Sequence, residues 1–198
     1  MTEKTTYDMI VESADQLFYR QGYENTSFSK IADSVGISRG NFYYHFKSKD
    51  DILRAVIDSR FDDTRQMLAR WTVEAANPVE RIRKFIGMLV ANEAKIMEYG
   101  CPVGTLCVEL AKLGHPDQKR ANELFTLFRA WLTSQFEQLG FQQDSDEKAM
   151  HLLVRSQGIA TMANVSHDKS VMDREIKQLY NWLTAQAAQA ESVAHRAS

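Results

Sequence analysis

Apolar positions recur along this chain with the period of a helix, and no segment shows the alternation of a half-buried strand or a hairpin signal. Ile10, Ala14, Leu17 and Phe18 share one face of a helix predicted over residues 6–20, which Gly22 stops. Thr26 is placed to cap a short second helix over 26–35, with Phe28, Ile31, Ala32 and Val35 inward. Gly36 ends it, and Ser38 caps a third, short helix over 39–46. Ser48 with Asp51 reads as a capping-box variant opening a long fourth helix. Asn77 and Pro78 start a pattern that runs unbroken to Tyr99, and Cys101 with Pro102 repeats that arrangement after Gly100, for a helix ending near Leu113. After Gly114, His115 and Pro116 the spacing predicts helices over 117–139, 146–165 and 169–190. A polar turn is expected at 140–145, and a small polar tail over 191–198 is expected to fray. The fold class is all-α, with about nine helices. Three helices fall in a first domain, 1–48; helix four, from residue 49, leads into a larger helical domain, 49–198.

Composition is that of a globular protein with a real core: 44% hydrophobic and 25% charged residues, with few breakers at 3 Pro and 9 Gly. The net charge of −2 excludes nucleic-acid binding through bulk positive charge. It does not exclude a local patch. Between Thr26 and Lys49 stand four bases (Lys30, Arg39, Lys47, Lys49) and one acid (Asp33), a local +3, leaving 20 bases and 25 acids, or −5, for the rest. No run approaches the roughly 18–20 apolar residues of a membrane span, and acidic residues interrupt the first fifteen positions. A cytoplasmic protein without a membrane partner is expected. With only Cys101 and Cys107, free thiols are the default.

Two short helices joined by a tight glycine turn make a helix-turn-helix pattern, although any small helical hairpin can present one. Phe28, Ile31, Ala32, Val35, Ile37, Phe42 and Phe46 would lock the pair together. Arg39, Asn41, Tyr43, Tyr44 and His45 would then face outward, beside a small Gly40 that permits close approach. These are side chains that donate to phosphates and base edges.

The string from Gly22 to Val56, GYENTSFSKIADSVGISRGNFYYHFKSKDDILRAV, closely resembles the N-terminal signature of the TetR family of transcriptional regulators. The match is dense, ungapped and covers the first third of the chain; the rest is similar only in helix count and lengths. The resemblance implies a ligand-responsive regulator, foremost a repressor, that binds a palindromic double-stranded DNA operator as a homodimer and is released by a small-molecule inducer. It also implies residue roles. Thr26 would cap helix two towards a phosphate, with Ser29 and Lys30 near the backbone or groove edge. Arg39, Gly40, Asn41 and Tyr44 would enter the major groove, Arg39 being the candidate for a bidentate bond to guanine. Tyr43, His45 and Lys49 would hold phosphates. For Tyr44, packing against the first helix stays open.

Phe85, Met88, Met97, Phe125, Phe128 and Trp131 all fall at helical spacing, which suits plain core and an adaptable apolar pocket alike. The resemblance puts the ligand there, with Cys101 at the edge. Cys101 reads either as an electrophile sensor at a helix start or as an inert cysteine; Cys107, six residues on, is expected to be buried. For the dimer, Leu152, Ser156, Ile159, Ala160 and Ala163 form one face, and Ile176, Leu179, Tyr180 and Leu183 another. The five histidines are dispersed, no phosphate loop or nucleophile elbow occurs, and neither a metal, a cofactor nor catalysis is expected. A structural DNA-associated protein on this scaffold, and a helical enzyme, remain as rival readings.

Overall fold

A computed structural model describes residues 4–197, with side chains to residue 192. Its elements are α1 (Thr6–Gln21), α2 (Phe28–Val35), α3 (Arg39–His45), α4 (Lys49–Glu74), α5 (Pro78–Ala91), α6 (Glu93–Tyr99), α7 (Pro102–Lys112), α8 (Gln118–Gln138), α9 (Ser145–Ser166) and α10 (Lys169–Ala197). The all-helical class stands; among the described residues there are ten helices, because the pattern over 78–99 is two helices. Asn92 divides them. Its backbone N–H and its side-chain amide both donate to Met88 O, so the asparagine competes for a helical carbonyl and turns its own backbone out of helical geometry.

Local chemistry places most of the ends. Thr5 and Asp8 form a reciprocal capping box on α1, Ser38 accepts from Asn41 N–H, and Asn77 accepts from Glu80 N–H ahead of Pro78. The cap of α2 corrects the sequence expectation by one residue. Ser27, not Thr26, accepts from Lys30 N–H. Thr26 is fully buried; its hydroxyl donates to Gly22 O at 2.7 Å and accepts from Gln21 Nε2 at 3.0 Å, tying the loop to the end of α1. The helix α10 continues to Ala197, so the tail is helical that far; Ser198 lies outside the described residues.

The chain divides into two compact units, Met1–Thr64 with Pro102–Leu124, and Arg65–Cys101 with Phe125–Ser198. The first centres on Ile10, Ala14, Phe18, Ile31, Phe42, Ile52, Leu53 and Val56, all at or near zero exposure. The second has a larger core that includes Ile82, Ile86, Leu132, Phe136, Leu152, Leu179 and Leu183. Two expectations change here. The segment 140–145 is no simple polar turn, because Phe141 and Ser145 are buried and Phe141 meets Phe136 edge to face. The residues assigned to a dimer face are also inside: Leu152, Ser156, Ile159, Ala160, Ala163, Ile176, Leu179 and Leu183 are all buried within the chain, and Tyr180 is half-buried. Small residues on α9 let it approach neighbours of its own chain, so their close packing closes the monomer. The exposed apolar residues of α9 are Met150, Val154, Met162 and Val165, at helical spacing on another face.

Candidate nucleic-acid interface

The helix α3 is held from behind and open in front. Phe42 is fully buried and Phe46 nearly so; Phe28 of α2 meets Phe42 edge to face with centroids 4.7 Å apart, and Tyr7 of α1 stacks on Phe46 at 5.0 Å. Those contacts fix which way the helix turns. Arg39, Gly40 and Asn41 are exposed, Tyr43 is 51% exposed and Tyr44 78%. The exposure of Tyr44 decides its open alternative, since packing against α1 is done by Phe46 instead. His45 is half-buried between Tyr7 and Tyr44.

Charge on this face is unneutralised. None of Lys30, Arg39, Lys47 and Lys49 has a carboxylate partner among the described residues, whereas Arg54, Arg60 and Arg120 of the same unit pair with Asp51 and Asp117, Asp15, and Asp58. The lysines instead donate to neutral carbonyls: Lys30 to Asn25 O, Lys47 to Tyr43 O, and Lys49 to Tyr23 O at 2.9 Å while lying over the Tyr23 ring. Ser29 is exposed and its hydroxyl lies 3.0 Å from that of Ser27. The side chains of Arg39 and Asn41 have no partner among the described residues. At Gly40 a Cβ would meet nothing within 4 Å, so internal packing does not explain this glycine.

Behind the face lies a polar brace that no local sequence signal marks. The carboxylate of Glu109 on α7 accepts from Tyr23 N–H and Glu24 N–H, both at 2.9 Å, in the loop between α1 and α2. Gly22, at φ +86°, admits this approach; a Cβ there would stand 2.9 Å from Glu109 Oε1. The Tyr23 hydroxyl donates to Asp50, and burial followed by that bond pushes its pKa upward. The His115 ring meets Tyr23 edge to face, and its Nδ1 accepts from Asp117 N–H. At the other end of α7, Arg60 donates to Pro102 O and to Asp15. The partners of Arg60 and Glu109 lie 42 to 86 residues away in the chain, beyond the reach of pattern reading.

The residues expected around a ligand all lie in the second unit. Phe85 and Phe128 are buried and meet edge to face at 5.7 Å; Met88, Met97, Cys101, Phe125 and Trp131 pack half-buried against the same core. The Trp131 indole N–H donates to Thr72 Oγ1, and Gln157 Nε2 donates to Cys101 Sγ at 3.4 Å. Cys107 is 6% exposed, and neither cysteine is in a disulfide. No helix among the described residues is long and apolar enough to cross a membrane. No group of three or more metal-ligating side chains occurs among them.

Comparison with known proteins agrees with this geometry in both units. Residues 10–56 match the family model described as bacterial regulatory proteins, tetR family. Residues 78–178 match that of the LmrA/YxaF-like transcriptional regulator C-terminal domain. An HTH-type transcriptional regulator encoded in the lacX 3' region of Lactococcus lactis is 28% identical over 174 residues, 86% of this chain and 89% of its own. The HTH-type transcriptional repressor DhaR of Mycobacterium sp. (strain GP1) is 29% identical over 125 residues, 62% of this chain and 60% of its own. In structure, a TetR transcriptional regulator from Legionella pneumophila superposes with a TM-score of 0.79 at 25% identity, covering 90% of this chain and 99% of that one. With one family model on the reading helices and a second on half of the chain, this protein belongs to the TetR family of transcriptional regulators.

Proposed function

We propose that the protein is a ligand-responsive repressor that binds a palindromic operator as a homodimer. The observation that carries this is the face of α3: Arg39 and Asn41 exposed and unpaired, four bases without a carboxylate partner, and a glycine that the protein's own packing does not require. Such a face needs an anionic partner that approaches closely, which duplex DNA is. Arg39, Gly40, Asn41 and Tyr44 are its groove-side residues, and Ser29, Lys30, Tyr43 and His45 its backbone contacts. Thr26 leaves this set because its hydroxyl is used internally. Lys49 would reach a phosphate only by leaving Tyr23.

Two recognition helices read a palindrome when the dimer holds them about one DNA turn, roughly 34 Å, apart. The exposed stripe Met150, Val154, Met162 and Val165 supports α9 as the dimer face. An inducer releases the operator only by binding the DNA-free state more tightly than the DNA-bound state. Phe85, Met88, Met97, Cys101, Phe125, Phe128 and Trp131 are the residues proposed to meet it.

Selection of bound fragments from genomic DNA, followed by titration of the recovered site at several salt concentrations, tests the reading. Expected is a palindromic site bound at least about a thousandfold more tightly than random DNA. Binding that stays equal on all sequences would make the protein a structural DNA-associated factor instead.

A further inference from the structure

The helix α5 carries three bases close together, and one of them lacks what the other two have. Arg83 lies 3.5 Å from Glu80 and Lys84 lies 2.9 Å from Glu74, but no carboxylate comes within ion-pair distance of Arg81 among the described residues. Arg81 Nη1 donates to Gln135 Oε1 at 3.2 Å and to Gln138 Oε1 at 3.0 Å, both neutral acceptors. Arg81 Nε is shielded from solvent and has no hydrogen-bond partner among the described residues. A guanidinium cannot shed its proton to relieve this, so the charge stays. An orphaned, desolvated donor on a permanent cation is costly to maintain and calls for a partner.

The surroundings narrow what that partner is. Gln135 is 2% exposed, and its Nε2 is held by Trp131 O, so its amide oxygen is presented to Arg81. With Nη1 occupied by the two glutamines, the edge that remains is Nε with Nη2, the side-on fork whose spacing matches the two oxygens of a carboxylate. One helical turn further along α5 stands Phe85, against Phe128 of α8, and one turn back from Gln135 stands Trp131, with Trp71 5.9 Å from it. An unneutralised cation one helical turn from Phe85, bonded to a glutamine one turn from Trp131, is the complement of an aromatic acid.

We propose that the effector is an organic carboxylate with an aromatic body, its carboxylate held by the Nε–Nη2 edge of Arg81 and its ring lying along Phe85, Phe128 and Trp131. This rests on the reading of the second unit as the ligand sensor and names the ligand class. Gln135 and Gln138 are positioning residues: they hold Nη1 and aim the free edge.

Calorimetric titration of the full-length protein with benzoate, phenylacetate, cinnamate and indole-3-acetate, each beside its methyl ester, tests it. At least one acid should bind about tenfold or more tightly than its ester, tenfold being 1.4 kcal/mol. Arg81→Gln should remove that preference while leaving ester binding unchanged, and Arg81→Lys should keep part of it. Thermal unfolding of Arg81→Gln should show no loss of stability, since the variant deletes an unneutralised charge; a fall of several degrees would make Arg81 a structural bridge and overturn the proposal. So would the lack of any acid preferred over its ester, or a preference that survives in Arg81→Gln. Operator release by a neutral ester alone would overturn the anionic class and leave the regulator reading intact. Arg81-dependent acid binding by a protein that selects no operator would do the reverse.

Discussion

Aromatic side chains mark both units of this protein, but in opposite ways. Tyr43 and Tyr44 of α3 are 51% and 78% exposed, whereas Phe85 and Phe128 of the second unit's core are 4% and 8% exposed. In the first unit, the residues that build the fold (Phe42, Phe46, Ile31) and those proposed to meet DNA (Arg39, Asn41, Tyr44) lie on opposite faces of short helices. Fold and function there can be altered separately. In the second unit the residues proposed to meet the inducer also build the core, so a change aimed at ligand binding would also disturb packing. Arg81, half-buried and charged, is the place where the proposed function stands apart from packing in that unit.

The sharpest way to break this comparison is on α9, where exposed and buried residues alternate within one helix. Val154→Glu should leave the monomer folded, because Val154 is 61% exposed, yet should dissociate the dimer by placing a charge on its apolar face. Sedimentation should then report a monomer, and operator affinity should fall at least about a hundredfold as one reading head is lost. Ile159→Glu, five residues on and 4% exposed, should instead unfold the protein. A Val154→Glu dimer that binds DNA normally would move the interface off α9.

On α3 the expected effect is smaller and confined to function. Arg39→Ala should cost about 1–3 kcal/mol of operator affinity and relax specificity at one or two base pairs, with no change in melting temperature. Gly40→Ala should likewise weaken the operator complex without destabilising the protein, because space for a Cβ is open. Lys49→Ala should behave differently from both, lowering stability through its lost contact with Tyr23. Should Arg39→Ala weaken all sequences equally, Arg39 would be a phosphate contact.

The brace between α7 and the α1–α2 loop comes next. Glu109→Gln keeps one carbonyl oxygen but turns an NH2 towards a backbone N–H, so one of the two bonds at Tyr23 and Glu24 is lost. A loss of about 1–2 kcal/mol is expected, below that of a fully buried charged pair because Glu109 is only half-buried. Hydrogen exchange at the Tyr23 and Glu24 amides checks it: both should exchange faster in the variant, while Phe42 should not.

What could be read from the sequence follows from how far apart the cooperating residues lie. Ser38 capping α3 and Asn77 with Pro78 opening α5 depend on neighbours within a few positions, the inward Phe42 and Phe46 show in the helical period, and all are legible. The cap of α2 slipped by one because Thr26 and Ser27 are chemically equivalent at that step, and only the burial of Thr26 separates them. The α9 face was misassigned because small and apolar residues there suit packing within the chain as well as between chains. Glu109 with Gly22, and Arg81 with Gln135, join positions that no local pattern relates.

The two thiols supply the smallest test, and they run against the general contrast, since the more accessible one lies in the second unit and the buried one in the first. Alkylation requires an accessible thiolate. Cys101 is half-buried with Gln157 Nε2 donating to its sulfur, while Cys107 is 6% exposed and must await an opening of α7. Iodoacetamide should therefore modify Cys101 at least about a hundredfold faster than Cys107 in the native protein, since even 5 kcal/mol of stability leaves a smaller open fraction. In denaturant the two rates should converge. Peptide mapping over a time course reads both. If the alkylated protein also releases its operator, and Cys101→Ser abolishes that release while binding DNA normally, Cys101 is part of the sensing machinery. If alkylation leaves operator binding unchanged, the thiol is an inert wall residue. Equal labelling of the two cysteines in the native protein would show that α7 opens readily, and the brace at Glu109 would then hold far less than its two hydrogen bonds imply.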